Sequence, residues 1–300
     1  MVPLCLVVKV LALNSGGINR FSGHLVRGGL LNFFSKVNPE LAEALHASNQ
    51  LRPYSVSPAL PVHERRLRGD LFHVKTGDQF QFRLGFLMDD VGEKLLEHIF
   101  DFQVKLGEVE FSLVEVELRK KDYNDLVKSV NVHDRFRVFF RTPTQLSVRG
   151  VDFPYLFPDP RYIYPSLARM WNMFAPDHVK VDVDELYKWI SDNVYVRNYR
   201  LRTVDVTMGK GRKVAGFTGY ADFYMKNTDG YAPWVMILSE YATFSNIGVK
   251  RTGGMGVVDL KIPEKEKENA KPSFSQPGGC ASAANPSTLT GGEAKAAKHT

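Results

Sequence analysis

Strand-like and helix-like segments follow one another in the order β-α-β-β-α-β, and this order returns in the second half of the chain. In the first half, strand patterns cover residues 4–13, 71–86 and 109–118, and apolar residues at helical spacing cover residues 23–37 and 89–102. A further short strand pattern at residues 54–57 predicts a β-ribbon with residues 71–86. The order is that of the ferredoxin-like arrangement, an antiparallel sheet with two helices.

The second half repeats this order with longer strands. The predicted segments are a strand at 136–148, helices at 166–174 and 183–193, a hairpin of 194–208 with 214–225, a helix at 232–244 and a strand at 257–262. The sequence therefore predicts an α+β fold of two tandem ferredoxin-like (RRM-like) domains, residues 1–130 and 131–262.

The last segment of the chain, residues 263–300, differs sharply in composition. It begins with a charged run and continues as Ser, Ala, Gly and Pro with almost no large apolar side chains. Such a segment cannot bury enough apolar surface to offset the entropy of ordering it. We predict that this tail is disordered.

Composition narrows the class of protein. The net charge of +6 and the pI of about 9.1 favour an anionic partner. Two cysteines, Cys5 and Cys280, allow neither a disulfide framework nor a zinc site, which favours a reducing, cytoplasmic location. Residues 2–13 favour a buried strand over a signal peptide. No apolar run is long enough to span a membrane, so no membrane partner is expected.

A glycine-rich basic segment at residues 248–256 (GVKRTGGMG) is the most distinctive local motif. Gly248, Gly253, Gly254 and Gly256 leave room for a phosphate beside the backbone, and Lys250 and Arg251 add positive charge. A nucleotide-binding P-loop is excluded because Gly254 stands where that motif needs lysine. Two interpretations stay open: a loop that grips a nucleic-acid backbone, or a glycine-bearing connection before a strand.

His46 and Arg52 are the best candidates for chemistry. Imidazole titrates near neutral pH and can accept or donate a proton, and a guanidinium can hold a phosphate. The alternative is that His46 only caps the end of a short helix, residues 39–46. The chain has neither an HExxH motif nor carboxylates at metal-ligand spacing, so no metal and no cofactor is predicted.

A compact basic turn lies between the two long strands of the second half. Lys210, Arg212 and Lys213 occupy this hairpin tip, which predicts either contact with phosphates or an ordinary solvated turn.

Three segments together carry a resemblance to a known family. Residues 38–46 (NPELAEALH), 52–57 (RPYSVS) and 248–256 resemble the CRISPR-associated repeat-specific endoribonucleases of the RAMP superfamily, over residues 1–262. The resemblance implies two ferredoxin-like domains that bind precursor CRISPR RNA and cleave it inside each repeat without a metal. The ribose 2′-OH attacks the adjacent phosphate and leaves a 2′,3′-cyclic phosphate and a 5′-OH.

The resemblance also implies roles for individual residues. His46 falls at the family's catalytic histidine and Arg52 where some members have lysine, whereas Leu31 stands where some members have tyrosine. Tyr54 is a candidate for the missing hydroxyl. The absent tyrosine leaves open a second function, a non-catalytic guide-RNA-binding subunit of an effector complex, so other CRISPR effector subunits and a second copy of the chain are possible partners. A third possible function is that of a small-molecule-binding protein, but we find no pocket motif in the sequence for it.

Overall fold

A computed structural model of the chain describes residues 2–46, 51–63 and 70–262. Strand β1 (Leu4–Ala12) lies at the centre of the first sheet, and every second side chain along it is buried in the first core. Leu4, Leu6, Val8 and Val10 are fully buried in one core with apolar residues of the first long helix. The predicted first strand is confirmed.

The first sheet is antiparallel, and β1 is its middle strand. Its neighbours β6 (Gln79–Phe86) and β8 (Val109–Lys120) pair with it on either side, and β3 (Tyr54–Val56) and β7 (Gln103–Leu106) extend the edges to give the order β3-β6-β1-β8-β7. The remaining elements of this half are β2 (Gly16–Asn19), α1 (Gly23–Val37), α2 (Pro39–His46), β4 (Leu60–Pro61), β5 (Leu71–Val74) and α3 (Asp89–Glu97).

Two details of the first half differ from the sequence-based prediction. The strand expected over residues 71–86 is broken by a turn in which Gly77 has φ +88° and the Asp78 carboxylate accepts from the Lys75 amide at 2.6 Å. As a result β5 pairs with β2 in a separate two-stranded sheet, and only β6 pairs with β3. The helix expected over 89–102 ends at Glu97, because a 3-10 turn (Ile99–Asp101) and the unpredicted strand β7 follow it.

The second half forms a four-stranded antiparallel sheet in the order β12-β13-β9-β14. These strands are β9 (Arg135–Thr144), β12 (Val194–Thr207), β13 (Lys213–Met225) and β14 (Val258–Lys261), and the helices are α4 (Tyr123–Lys128), α5 (Pro160–Phe174), α6 (Val183–Asn193) and α7 (Ala232–Ser245). The predicted hairpin and its basic turn are confirmed. A small hairpin of β10 (Leu146–Val148) and β11 (Val151–Tyr155) was not predicted.

The described residues contain a separate core for each sheet, as two ferredoxin-like units require. Tyr123 and Leu126 of α4 belong to the second core although they precede residue 130. The boundary between 130 and 131 stays a prediction, and the tail at 263–300 lies outside the described residues.

Polar contacts join the two sheets along β14. The Asp259 carboxylate accepts from Arg83 of the first sheet at 2.7 Å and from Arg141 of the second at 2.6 Å. Burial raises the pKa of Asp259, but hydrogen bonds and charges from both arginines outweigh burial and hold this pKa below its ordinary value. The contact therefore needs an ionised carboxylate.

We expect Asp259→Asn to lower the free energy of unfolding by about 1 kcal/mol near neutral pH, a modest figure because water screens partly exposed pairs. A depressed carboxyl pKa stabilises the fold above the unfolded value of about 3.9 and ceases to do so as pH falls through the folded value. Urea unfolding at pH 7 and pH 3 measures this.

The control is Glu97→Gln, which removes the exposed Lys94–Glu97 pair on α3 and is expected to change stability by less than about 0.5 kcal/mol. An Asp259→Asn penalty as large at pH 3 as at pH 7 would contradict the ionic role.

Candidate functional site

The glycine loop (residues 248–256) follows α7 and packs tightly against the first half of the chain. A Cβ atom on Gly23 of α1 would lie 2.3 Å from the carbonyl oxygen of Gly253. Gly254 has φ +93°, and a Cβ there would lie 2.9 Å from the Cα atom of Gly23. These glycines therefore permit close contact between the loop and α1, a different use from the phosphate approach suggested by the sequence.

The remaining loop glycines also face protein. A Cβ on Gly256 would lie 1.8 Å from the carbonyl oxygen of Ile247, and one on Gly248 would lie 2.3 Å from that of Gln145. The Asn246 amide donates to the carbonyl oxygen of Val56 at 3.0 Å. The loop is thus fixed against both halves of the chain, and RNA binding by its glycines stays a prediction.

Arg251 is buried beneath the loop, with 7% of its surface exposed. Its guanidinium donates to the carbonyl oxygen of Ser245, the last residue of α7, at 2.8 Å, and more weakly to that of Arg52 at 3.5 Å. Burial lowers the pKa of Arg251, and the neighbouring Tyr241 opposes this. This geometry favours a structural role for Arg251 over the phosphate contact suggested by the sequence.

A groove of about 360 Å³ opens in front of the loop. Its charged lining residues are Arg52, Lys250 and Arg251, and no described carboxylate lines it. Burial and then the charge of Arg212 lower the pKa of Lys250. Since like charges repel, a cluster of this kind favours an anion such as a phosphate.

His46 is the exposed last residue of α2; it does not line the groove, but its backbone contacts Arg52, which does. Asn38 caps the start of that helix, accepting from the Leu41 amide at 3.0 Å, and Pro39 occupies its first turn, as the sequence predicts. The Arg52 guanidinium donates to the carbonyl oxygen of His46 at 3.5 Å and to the Thr252 hydroxyl at 3.4 Å. Arg52 thus links the predicted histidine to the glycine loop.

Tyr54 lies behind the groove rather than in it. Its side chain is fully buried in β3, and its hydroxyl interacts with the side chain of Arg27. Burial raises the pKa of Tyr54, while the charges of Arg27 and Arg52 oppose the rise. A hydroxyl shielded in this way fits a supporting role next to Arg52 better than proton transfer to a substrate.

The basic hairpin tip folds back toward the glycine loop. Met208, at the base of the tip, packs with Phe21, Val214 and Met255 in a small third core. Arg212 and Lys213 are exposed, and the charge of Arg212 reaches Lys250. The backbone of Lys210 lies in the 3-10 turn at the tip. The structure therefore brings the tip, the loop and Arg52 to one side of the molecule.

Arg27 and Thr252 belong to this region but were missed from the sequence. Arg27 lies one turn after Gly23 on α1, on the face that contacts the glycine loop, and is half-buried. Arg27 is four residues after Gly23 and therefore lies on the same face of α1, but this spacing points to the site only once the contact between Gly23 and the loop is known.

Among the described residues no group of three or more His, Cys, Asp or Glu has metal-site geometry.

Known proteins match both the sequence and the fold. The family profile of the CRISPR-associated endoribonuclease Cas6 matches residues 138–258. A Mycobacterium tuberculosis protein of that name is 32% identical over 144 residues, 46% of this chain and 43% of the relative. A Streptococcus thermophilus protein of that name is 24% identical over 60% of this chain and 75% of the relative. The similarity in sequence to Cas6 endoribonucleases thus includes residues 138–258, in the second half of the chain.

The aligned region thus spans less than half of the Mycobacterium tuberculosis Cas6.

Solved Cas6 structures share the fold of this chain across nearly their whole length. A Cas6 product complex has a TM-score of 0.68 at 24% identity, covering 85% of this chain and 98% of its own. Thermus thermophilus Cas6 has a TM-score of 0.64 at 23% identity, with coverages of 86% and 98%. At these identities the likeness establishes the two-unit ferredoxin-like fold alone.

The two cations of the glycine loop, Lys250 and Arg251, are expected to respond differently to removal. Arg251→Ala is expected to lower the free energy of unfolding by about 2–3 kcal/mol, because the Ser245 and Arg52 carbonyl oxygens lose their donor in a buried place. Lys250→Ala is expected to cost less than about 1 kcal/mol, because its ammonium lines an open groove. Urea unfolding of both variants checks this, and equal penalties would contradict the structural role of Arg251.

Proposed function

We propose that this chain is a metal-independent endoribonuclease that cleaves precursor CRISPR RNA inside its repeats. In the proposed reaction the ribose 2′-OH attacks the adjacent phosphorus. A bond from the 2′-oxygen to phosphorus forms as the bond to the 5′-oxygen breaks, leaving a 2′,3′-cyclic phosphate and a 5′-OH. The need for a 2′-OH makes the substrate RNA rather than DNA.

One observation carries this proposal. The carbonyl oxygen of His46, an exposed residue, accepts from Arg52, which lines a groove together with two further cations and no described carboxylate. General acid–base chemistry at a phosphodiester needs a group that titrates near neutral pH next to a site that favours negative charge. The groove supplies the cations, and His46 next to Arg52 supplies the titratable group. Arg52 and Thr252, which both line the groove, lie 200 positions apart in the chain.

His46 is assigned the proton transfer in this mechanism. It either takes the proton from the attacking 2′-OH or donates one to the leaving 5′-oxygen, and both roles keep the proton count balanced. The backbone contact between His46 and Arg52 fixes the end of α2 next to the groove. This contact would keep the group that transfers the proton at a fixed distance from the groups that bind the phosphate.

Arg52 and Lys250 are assigned to the phosphate. Extra negative charge develops on the non-bridging oxygens as the phosphorus gains a fifth ligand, and fixed cations in a sheltered groove stabilise that charge. Arg52 presents a planar fork, whereas Lys250 presents a compact ammonium already held by Gln145 at 3.3 Å. Arg212 and Lys213 extend the positive surface along the bound repeat.

A second candidate function rests on Leu31. This residue packs against the first core at the position where some members carry tyrosine, so α1 presents no hydroxyl there. The alternative is a subunit that holds guide RNA without cutting it. We keep as predictions that the chain assembles with other effector subunits or with a second copy of itself, and that it is cytoplasmic. Among the described residues no helix is long and apolar enough to span a membrane.

The deciding experiment is cleavage of labelled repeat RNA from the source genome in EDTA, comparing the parent with His46→Ala. We expect one cut by the parent and a rate at least about 100-fold lower for the variant, the usual contribution of a general acid or base. His73→Ala is the matched control, because this histidine is exposed on β5, in the separate two-stranded sheet with β2.

Two further measurements separate the alternatives. A single 2′-deoxynucleotide at the cleavage position is expected to abolish the cut without weakening binding, because it removes the nucleophile alone. Tight binding with no cut by the parent would favour the guide-RNA subunit, and no binding would overturn both functions.

A further inference from the structure

Two tyrosines lie near each other in the second core, Tyr123 of α4 and Tyr241 of α7. Both are fully buried, and Trp171 of α5 packs edge-on against both, with ring centres 4.8 and 5.2 Å away. A buried hydroxyl loses its hydration and costs free energy unless a protein group replaces the water. Phenylalanine would fill nearly the same space without that cost, so the two hydroxyls indicate a specific polar contact.

The Tyr123 hydroxyl connects this pair to the first half of the chain. It donates to the carbonyl oxygen of Leu87 at 2.9 Å, and the Leu87 amide donates in turn to the carbonyl oxygen of Pro53 at 2.8 Å. Leu87 directly follows β6 of the first sheet but belongs to the second core. One polar route therefore runs from the second core to the residue that follows Arg52.

Tyr241 reaches the same segment by way of Arg251. Tyr241 and Ser245 are four residues apart on α7 and so share a face of this helix, and Arg251 donates to the Ser245 carbonyl oxygen at 2.8 Å. Burial raises the pKa of Tyr241, and the positive charge of Arg251 opposes the rise. This guanidinium also donates to the carbonyl oxygen of Arg52 at 3.5 Å, which gives a second polar route.

The two routes are joined at both ends. In the core the Tyr241 hydroxyl interacts with that of Tyr123. On the other side the routes end on the carbonyl oxygens of consecutive residues, Arg52 and Pro53. The backbone is therefore held where the Arg52 side chain leaves it, and the Arg52 guanidinium lies against the glycine loop, 3.4 Å from the Thr252 hydroxyl.

A second polar pair in the same core has a different arrangement. The Tyr164 hydroxyl of α5 lies 3.0 Å from the Ser239 hydroxyl of α7, and Ser239 donates to the carbonyl oxygen of Val235 at 2.7 Å. These contacts join one helix of the second half to another. Tyr164 therefore provides a matched comparison for the pair that reaches residues 52 and 53.

We propose that the Tyr123–Tyr241 pair positions Arg52 at the groove, so that the guanidinium meets the phosphate at the cleavage point. The pair acts through the backbone of residues 52 and 53 and does not touch the substrate. Displacement of a reacting group by about 1 Å can slow a reaction about 100-fold, so a buried contact that fixes this backbone bears directly on the rate. The inference rests on the proposed function for the role of Arg52.

The test removes single hydroxyls and keeps the rings. Tyr241→Phe and Tyr123→Phe interrupt the two routes, and Tyr164→Phe is the control, because it removes a similarly buried hydroxyl from the same core. Single-turnover cleavage of labelled repeat RNA at saturating protein gives the rate. Binding of the same RNA with a 2′-deoxynucleotide at the cleavage position gives the affinity.

We expect both route variants to cut about tenfold more slowly than the parent while their affinity stays within about twofold, because positioning acts mainly on the transition state. Tyr164→Phe is expected to keep the parent's rate. Circular dichroism checks that each variant is folded, and either route variant decides alone if the other fails to fold.

Arg52 supplies a readout that a merely structural role would not move. In an Arg52→Ala protein, Tyr241→Phe is expected to cost no further activity, because the group that it positions is gone. A general loosening of the second core would instead slow both backgrounds by the same factor. Equal factors in the two backgrounds, unchanged rates in both route variants, or equal slowing by Tyr164→Phe would each overturn the proposal.

Hydrogen exchange tests the positioning without any cleavage. The Leu87 amide reports on its bond to the Pro53 carbonyl oxygen. We expect this amide to exchange about tenfold faster in the two route variants than in the parent, and at the parent's rate in Tyr164→Phe. A parent that cuts no RNA would overturn the proposed function, and faster exchange would still support the hold on residues 52 and 53. Unchanged exchange in both route variants would overturn that hold.

Discussion

The glycine loop depends on a single buried cation, Arg251. A guanidinium with 7% of its surface exposed and no described carboxylate beside it is expensive to bury, unless its donors are satisfied by strong acceptors. The carbonyl oxygen at the end of α7 is such an acceptor, because unpaired carbonyl groups give a helix C-terminus a partial negative charge. Arg251 thereby connects the last helix to the backbone of Arg52, and the groove in front of the loop takes its shape from this connection.

Glycine at positions 23, 253 and 254 completes the same arrangement by letting two backbones touch. The sequence pattern suggested that the backbone of this loop approaches a phosphate, because glycine, lysine and arginine occur together within residues 248–256. A pattern of this kind does not distinguish approach to a ligand from approach to another part of the chain, since both need a missing Cβ. The distinction appears only when α1 is placed against the loop.

Local patterns were sufficient for most of the fold. Local patterns placed β1, β8, β12, β13 and α7 close to their observed bounds, because each is a continuous run of residues that favour its secondary structure. They failed where a turn or a short edge strand decided the pairing, as at β5 and β7, since pairing partners are set by tertiary contacts rather than by the segment itself. Prediction of the site was limited in the same way. His46 and Arg52 are close in sequence and were identified together. Arg27 was missed because its contacts depend on how α1 packs against the rest of the chain.

A ferredoxin-like unit gives one sheet two chemically different sides. Helices α5, α6 and α7 cover the inner side of the second sheet, and the groove opens at the edge where α5 meets the glycine loop. Among the described residues no helix covers the opposite side, where Arg137 lies against the Tyr220 ring and pairs with Asp222. Asp259 on the same side pairs with Arg83 of the first sheet, so this side also connects the two sheets.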